Sequence, residues 1–257
     1  MKARGNPPHA SIRTQEKSER LHALSLQRLN YGNSDMTANG ETWFVRHLAR
    51  TLPNHPIVFD VGANVGDYTA ALIDAIDNPS IHCFEPSQTA FALLQKRYEA
   101  TREIHLNNAG LGAEEMTHAL YADKPGSGMG SIYPRRLDHL GIDVHAVEEV
   151  QIYRLDTYCA HHGIERIDFL KIDTEGHELS VLRGAGEMLV PERIGAIQFE
   201  FGGTAIDSRI YFQDFFYLLT PRYTIHRLLP DGLWPMPLYS ERHEVLMYAN
   251  YICLPSG

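Results

Sequence analysis

The sequence predicts an α/β protein: a mostly parallel sheet with helices on both faces, preceded by a helical N-terminal extension. Two observations carry this. From Ile57 onward, apolar runs of strand length alternate with stretches whose apolar residues recur at helical spacing. Such alternation implies crossover units and a parallel sheet. The composition, 44% hydrophobic and 21% charged over 257 residues, is that of an ordinary globular chain.

The elements follow in order. Residues 1–14 are polar and hold Pro7 and Pro8, which predicts loose packing. Leu21, Leu24, Leu26 and Leu29 suggest a short helix within 15–30. Residues 1–30 are therefore read as a polar, partly helical extension and 31–257 as one domain. Glu41 to Leu52 is a better amphipathic helix, with Phe44, Val45, Leu48 and Leu52 on one face and Pro53 after its end. IVFDV then reads as a strand, YTAALIDAI as a helix, IHCFEP as a strand, QTAFALLQKRYEA as a helix and EIHLNNAGL as a third strand. Residues 113–155 break the rhythm and read as an insertion of loops and short strands around PGSGMGS. The alternation resumes with the strand RIDFLKID, the helix HELSVLRGAGEML, the strand RIGAIQFEF and the helix YFQDFFYLLT. YTIHRLL and VLMYANYICLP form a last strand pair around the loop PDGLWPMPLYSERH. The count is seven strands.

Charge and cysteine usage narrow the classes of function. A formal net charge of -9 lacks the basic footprint of a nucleic-acid binder and gives no attraction to an anionic membrane. No apolar run reaches the ~18–20 residues of a membrane span. The first residues lack the apolar stretch of a secretory signal. Cys83, Cys159 and Cys253 are odd in number and far apart, which suits a reducing compartment. The expectation is a cytoplasmic protein without membrane insertion.

VFDVGANVGDYT, from Val58 to Thr69, is the first stretch that points to chemistry. A strand ends in the carboxylate of Asp60, and Gly62, Asn64 and Gly66 follow at alternate positions before a helix. Glycine-rich strand–helix turns bring backbone close to a ligand, often a dinucleotide. The dinucleotide fingerprint is G-x-G-x-x-G. Here the spacing differs, and a carboxylate beside a pyrophosphate is repulsive. Beside an ammonium and a sulfonium it is attractive, which favours S-adenosylmethionine (SAM) over a nicotinamide cofactor. A tight turn with Asp60 as a simple cap is the plainer alternative. The second strand ends in Glu85, nineteen residues beyond Gly66, where an acid is placed to accept the hydroxyls of a ribose. Asn108, in the loop after strand three, is placed to bond a base or to serve as an ordinary turn residue.

These stretches resemble the FkbM-type SAM-dependent methyltransferases. The matching segments are NGETWF, VFDVGANVGDYT, FEPS, NNAGLG, GMGSIYP, RLDTY, IDFLKIDTEGHELSVLRGA and IQFEF, across roughly residues 30–254. The resemblance implies a class I methyltransferase (Rossmann-like) fold, seven strands included, with SAM as methyl donor and a hydroxyl as the usual acceptor. Glu41 of NGETWF and Pro86 of FEPS join Asp60, Gly62, Asn64, Gly66, Glu85 and Asn108 as expected cofactor-binding residues. Members of the family act on sugars, polyketides and other secondary metabolites, so the acceptor stays open.

The stretch LKIDTEGHE carries the second half of the chemistry. Asp173 ends the fourth strand, and Glu175 and His177 follow closely. An alcohol needs alignment with the donor and loss of its proton. Asp173, Glu175 and His177 are therefore the candidate catalytic residues. Glu200, at the end of QFEF, extends the acidic cluster. Asp173 and Glu200 are candidate ligands for a divalent cation such as Mg²⁺. The alternative is that these acids cap a helix. Lys171 is expected to pair with one of them. Tyr133, Arg135, Trp234 and Tyr239, in the two glycine- and proline-containing loops, are placed to meet a sugar or simply to pack.

The resulting expectation is an O-methyltransferase for a hydroxyl of a sugar or glycosylated metabolite. A polyketide or other secondary-metabolite hydroxyl is the alternative, and N- or C-methylation a further one. A nicotinamide oxidoreductase or a SAM-binding sensor would lack either the Asp60 spacing or the acids after strand four. The expected partners are SAM and a small-molecule or saccharide acceptor, with room for a homo-oligomer.

Overall fold

The computed structural model describes residues 11–256; the expectation for residues 1–10 lies outside it. In chain order the helices are α1 (Ile12–Arg28), α2 (Glu41–Leu48), α3 (Asp67–Ala75), α4 (Gln88–Tyr98), α5 (Leu155–His162), α6 (Glu178–Gly184), α7 (Ala205–Ser208) and α8 (Phe212–Leu219). The strands are β1 (Ile57–Val61), β2 (Ser80–Phe84), β3 (Ile104–Asn107), β4 (Gly110–Gly112), β5 (Met116–Ala122), β6 (His145–Arg154), β7 (Ile167–Ile172), β8 (Ile194–Phe201), β9 (Tyr223–Leu229), β10 (Gly232–Pro235) and β11 (Ala249–Pro255).

The main sheet has the order β10-β9-β11-β8-β7-β1-β2-β3. Strands β3, β2, β1, β7 and β8 run parallel, while β11 pairs antiparallel with both β8 and β9. This is the α/β, mostly parallel architecture expected, with eight strands instead of seven. The extra strand, β10, comes from the loop after Leu229. Pro230 and Asp231 form a two-residue connection that folds Gly232–Pro235 back onto β9.

The pleat divides each central strand between two cores. Phe59, Val61, Leu170, Ile172, Ile197 and Phe199 face one cluster, with residues of α5, α6 and α8. Val58, Phe169 and Ala196 face the other, with residues of α2, α3 and α4. Side chains alternate strictly along a strand. Asp60, Lys171 and Gln198 therefore share the second face with Val58, Phe169 and Ala196, and all three are buried. That face carries a polar network under α2 and α3. By contrast, α1 buries no residue.

The stretch EIHLNNAGL is not one strand. It breaks after Asn107, and Gly110–Gly112 moves into a second sheet of order β4-β6-β5. The asparagines make the break. Asn107 Nδ2 donates to the carbonyls of Cys83 and His105, and Asn108 Nδ2 to those of Glu85 and Pro86. Bonded to neighbouring carbonyls, they turn the chain away from the main sheet. The region expected to hold loops and short strands thus contributes two of the three strands of the second sheet, of which β6 has 10 residues. The three cysteines are free and buried. Among the described residues, no helix is long and apolar enough to cross a membrane.

Candidate active site

In an open parallel sheet, ligands bind beyond the carboxyl ends of the strands where the strand order reverses. Here that point lies between β1 and β7, which are adjacent although β2 follows β1 in sequence. A cleft of about 890 Å³, open mouth included, lies there and is lined by the turn after β1, the ends of β2, β7 and β8, and the second sheet.

The turn after β1 is held by left-handed residues: Gly62 at φ 79°, Asn64 at 47° and Gly66 at 87°. The glycines serve different ends. A Cβ on Gly62 would collide with the carbonyl oxygen of Asp173, so only glycine lets the β1 turn meet the end of β7. A Cβ on Gly66 would enter the side chains of Tyr98 and Leu94, away from the cleft wall. Gly62 and Asn64 line the cleft.

Glu85 also lines it, with its oxygens aimed by backbone. Asn64 N donates to Oε2 and Ser87 N to Oε1, each at 2.8 Å. Burial pushes its pKa up to about 7, against the pull of those two donors and of Lys171. Each carboxylate oxygen keeps acceptor capacity. Pro86 lines the cleft beside it, whereas Asn108, spent on the Glu85 and Pro86 carbonyls, does not.

Asp60 and Glu41 stand behind the wall. Asp60 is 0% exposed; it accepts from Thr69 Oγ1 at 2.7 Å, and Lys171 Nζ lies 3.2 Å from its other oxygen. The Lys171 ammonium also reaches Gly62 O at 3.2 Å and lies 3.6 Å from Asp173 Oδ2. Burial lowers its pKa, but Asp60, Asp173 and Glu41 together raise it further, so it stays charged. Lys171 pairs with an acid, as expected, and thereby ties the two strand ends together. Glu41 accepts from Asn39 Nδ2 and Gln198 Nε2, and Gln198 accepts from Tyr68 OH. Burial raises the Glu41 pKa.

Beyond β7, Asp173, Glu175 and His177 all line the cleft with Glu200. Their commitments differ. The Asp173 side chain is 35% exposed and its nearest charged partner is Lys171. Glu175 has a left-handed backbone (φ 53°), unusual for a side chain of its size. Arg135 Nη1 donates to its carboxylate at 2.8 Å, and Ser131 Oγ to its carbonyl at 2.7 Å. Burial, reinforced by Asp173 and opposed by Arg135, pushes the Glu175 pKa up to about 8. His177 Nδ1 is 3.0 Å from Tyr133 OH, and burial lowers its pKa to about 4. The N-cap of α6, His177, makes no side-chain cap bond, and Glu178 accepts from the backbone of Thr174 and Gly176 in the turn before the helix.

Glu200 is buried, and its pKa is raised by burial first and then by the negative charge of Asp173. Asp173 and Glu200, the expected cation ligands, line the same cleft. Among the described residues, no group of three or more His, Cys, Asp or Glu is arranged around a metal position.

Several wall residues were not among the expected site residues. Ser127, Gly128 and Ile132 belong to the segment before Tyr133, which crosses the cleft from Asn64 to Glu175. Tyr248 precedes β11. An antiparallel strand presents its amino end where parallel strands present their carboxyl ends, so a residue before β11 falls at the site. Trp234 and Tyr239 are not in the wall: Trp234 sits on the edge strand β10, and Tyr239 bonds Glu244 and packs on Phe216.

Comparison with known proteins adds the family. A model of the methyltransferase FkbM domain matches residues 60–220. The chain is 28% identical over 148 residues to Methyltransferase 1 of Beauveria bassiana (strain ARSEF 2860), covering 51% of this chain and 59% of that protein. It is 24% identical over 149 residues to the 2-O-methyltransferase NoeI of Sinorhizobium fredii (strain NBRC 101917 / NGR234), covering 54% of this chain and 60% of that one. The chain therefore spans about three fifths of the curated relatives it matches. It is similar to the solved O-methyltransferase from Bacillus cereus in complex with SAH (S-adenosylhomocysteine), at 11% identity and a TM-score of 0.48, covering 97% of this chain and 93% of that one.

Proposed function

Because this chain belongs to the FkbM family of SAM-dependent methyltransferases, we propose that it transfers a methyl group to a hydroxyl of a sugar or glycosylated metabolite. The observation that carries this is one cleft with two unlike walls. Gly62, Asn64, Glu85 and Pro86 stand on one side, and Asp173, Glu175, His177 and Glu200 on the other.

The first wall fits SAM. Gly62 and Asn64 bring the turn after β1 to the cleft wall. Glu85 accepts the two hydroxyls of a ribose, its oxygens already aimed by Asn64 and Ser87. Asp60 acts from behind, fixing Lys171 and through it the turn. Bound SAM supplies a methyl group on a positively charged sulfur.

The second wall handles the acceptor. Asp173 is the half-buried carboxylate at the switch point, and in this reading it accepts the proton that the acceptor hydroxyl loses. Glu175 and His177 are engaged by Arg135 and Tyr133. They shape the acceptor side and hold Asp173 in a wall of fixed geometry. Carboxylates accept two hydrogen bonds each, which suits adjacent sugar hydroxyls. The 2-O-methyltransferase among the relatives supports oxygen as the methylated atom. No step requires a cation.

A second reading rests on Leu111, Leu120, Ile132 and Ile152, which give the cleft an apolar side. They favour an acceptor with an apolar portion, such as a polyketide hydroxyl. Isotopically labelled SAM offered with nucleotide sugars, glycolipid fragments and hydroxylated macrolides separates the readings. Label on a sugar hydroxyl is expected. Label only on a sugar-free polyketide replaces the acceptor class, and label only on an amine or carbon overturns O-methylation.

A further inference from the structure

Helix α4 begins beside Glu85, and its start lacks the usual local solution for unpaired amides. A helix leaves its first four N–H groups without intrahelical partners, and an N-cap serine normally accepts from one of them. Ser87 is at the N-cap, yet its side chain caps nothing, and the first turn of α4 has no acidic residue. The missing acceptor arrives from the second sheet. Glu148, on β6, takes the Gln88 amide on Oε2 and the Ser87 hydroxyl on Oε1, each at 2.8 Å. It is 60 residues from Gln88 in sequence.

Ser87 is the common member of two contacts. Its hydroxyl is held by Glu148, and its amide donates to Glu85 Oε1 at 2.8 Å. Ser87 is buried and lines the cleft. The chain Glu148–Ser87–Glu85–Asn64 thus runs from the second sheet to the turn after β1. A carboxylate at the start of α4 is also favoured by the helix dipole.

We propose that Glu148 is a positioning residue for the methyl donor: it fixes the amide of Ser87 and through it the carboxylate of Glu85. This rests on the placement of SAM against Glu85. It gives the second sheet a role on the donor side, besides carrying the segment that covers the cleft. Removing the Glu148 carboxylate frees Ser87 and Gln88 to rotate, and Glu85 loses one of its two backbone anchors.

Calorimetric titration of SAH, which is not consumed, tests this on Glu148→Ala, Glu148→Gln, Glu85→Ala and the exposed neighbour Glu149→Ala. Loosening one of the two backbone anchors of Glu85 is expected to raise Kd about tenfold in Glu148→Ala. Glu148→Gln keeps one acceptor oxygen and is expected to cost about threefold, with Glu149→Ala within about twofold of the parent. The KM for SAM should rise in Glu148→Ala while kcat stays nearly level. A Kd within twofold of the parent in Glu148→Ala, or an equal loss in Glu149→Ala, overturns the proposal. If Glu148→Ala does not fold, the Gln variant decides by the same criterion. Parent protein that binds no SAH, or Glu85→Ala that binds it normally, overturns the donor placement itself. Loss in Glu85→Ala alone overturns only the role of Glu148.

Discussion

At Glu85 burial bears directly on the ribose contact proposed for it. Its pKa is pushed up to about 7, mainly by burial. The ionised form accepts more hydrogen bonds than the protonated one. Ribose hydroxyls should therefore bind better as pH rises through 7. SAH affinity measured between pH 6 and 8 is expected to increase with pH in the parent and to stay flat in Glu85→Gln. The stability sign is opposite. The folded state holds this proton more tightly than the unfolded chain, whose pKa is near 4.5. The Glu85 contribution to stability therefore falls as pH rises from about 4.5 to about 7. Equal pH dependence of binding in parent and variant would remove Glu85 from the ribose position. At this scale the sequence was informative where a strand end fixes position: Glu85, Asp173 and Glu200 all reach the cleft wall. It was silent on which way a side chain is spent. Asp60 is a strand-end acid too, but it is turned toward Thr69 and Lys171, and Lys171 lies more than a hundred residues away.

At the scale of elements, the joint between β1 and β7 is the part on which the site depends. Parallel pairing sets Asp60 opposite Lys171, and the Lys171 ammonium adds bonds to Gly62 O and a contact with Asp173. Removing the ammonium leaves Asp60 buried without its cation. Lys171→Met is expected to destabilise the protein by about 3–5 kcal/mol in urea unfolding, the cost of breaking a buried ion pair. Replacing both residues in Asp60→Asn/Lys171→Met should recover part of that loss, because no uncompensated charge remains. Additive losses would mean the two residues act separately. The strands of this joint were legible as apolar runs, since parallel strands buried on both faces read as continuous hydrophobic sequence. The second sheet was not. Strand β6 alternates in burial and pairs with β4 and β5 by contacts no local pattern reports. β10 was likewise hidden in a loop-like composition rich in proline.

The proposed function divides one cleft between two tasks: a donor side at the ends of β1 and β2, and an acceptor side at the ends of β7 and β8. The segment from Ser127 to Arg135 bridges them, with Gly128 beside Asn64 at one end and bonds to Glu175 and His177 at the other. This division predicts that binding and turnover separate by mutation. The most direct measurement is a paired assay of SAH affinity and single-turnover methyl transfer on Glu85→Ala and Asp173→Asn. Glu85→Ala should lose about 1.5–3 kcal/mol of SAH affinity, the value of hydrogen bonds to a charged group. Asp173→Asn should keep SAH affinity within about twofold while transfer slows about 10²- to 10⁴-fold, the range for loss of a general base. Folded Asp173→Asn that fails to bind SAH, or that transfers methyl at the parent rate, would contradict the account.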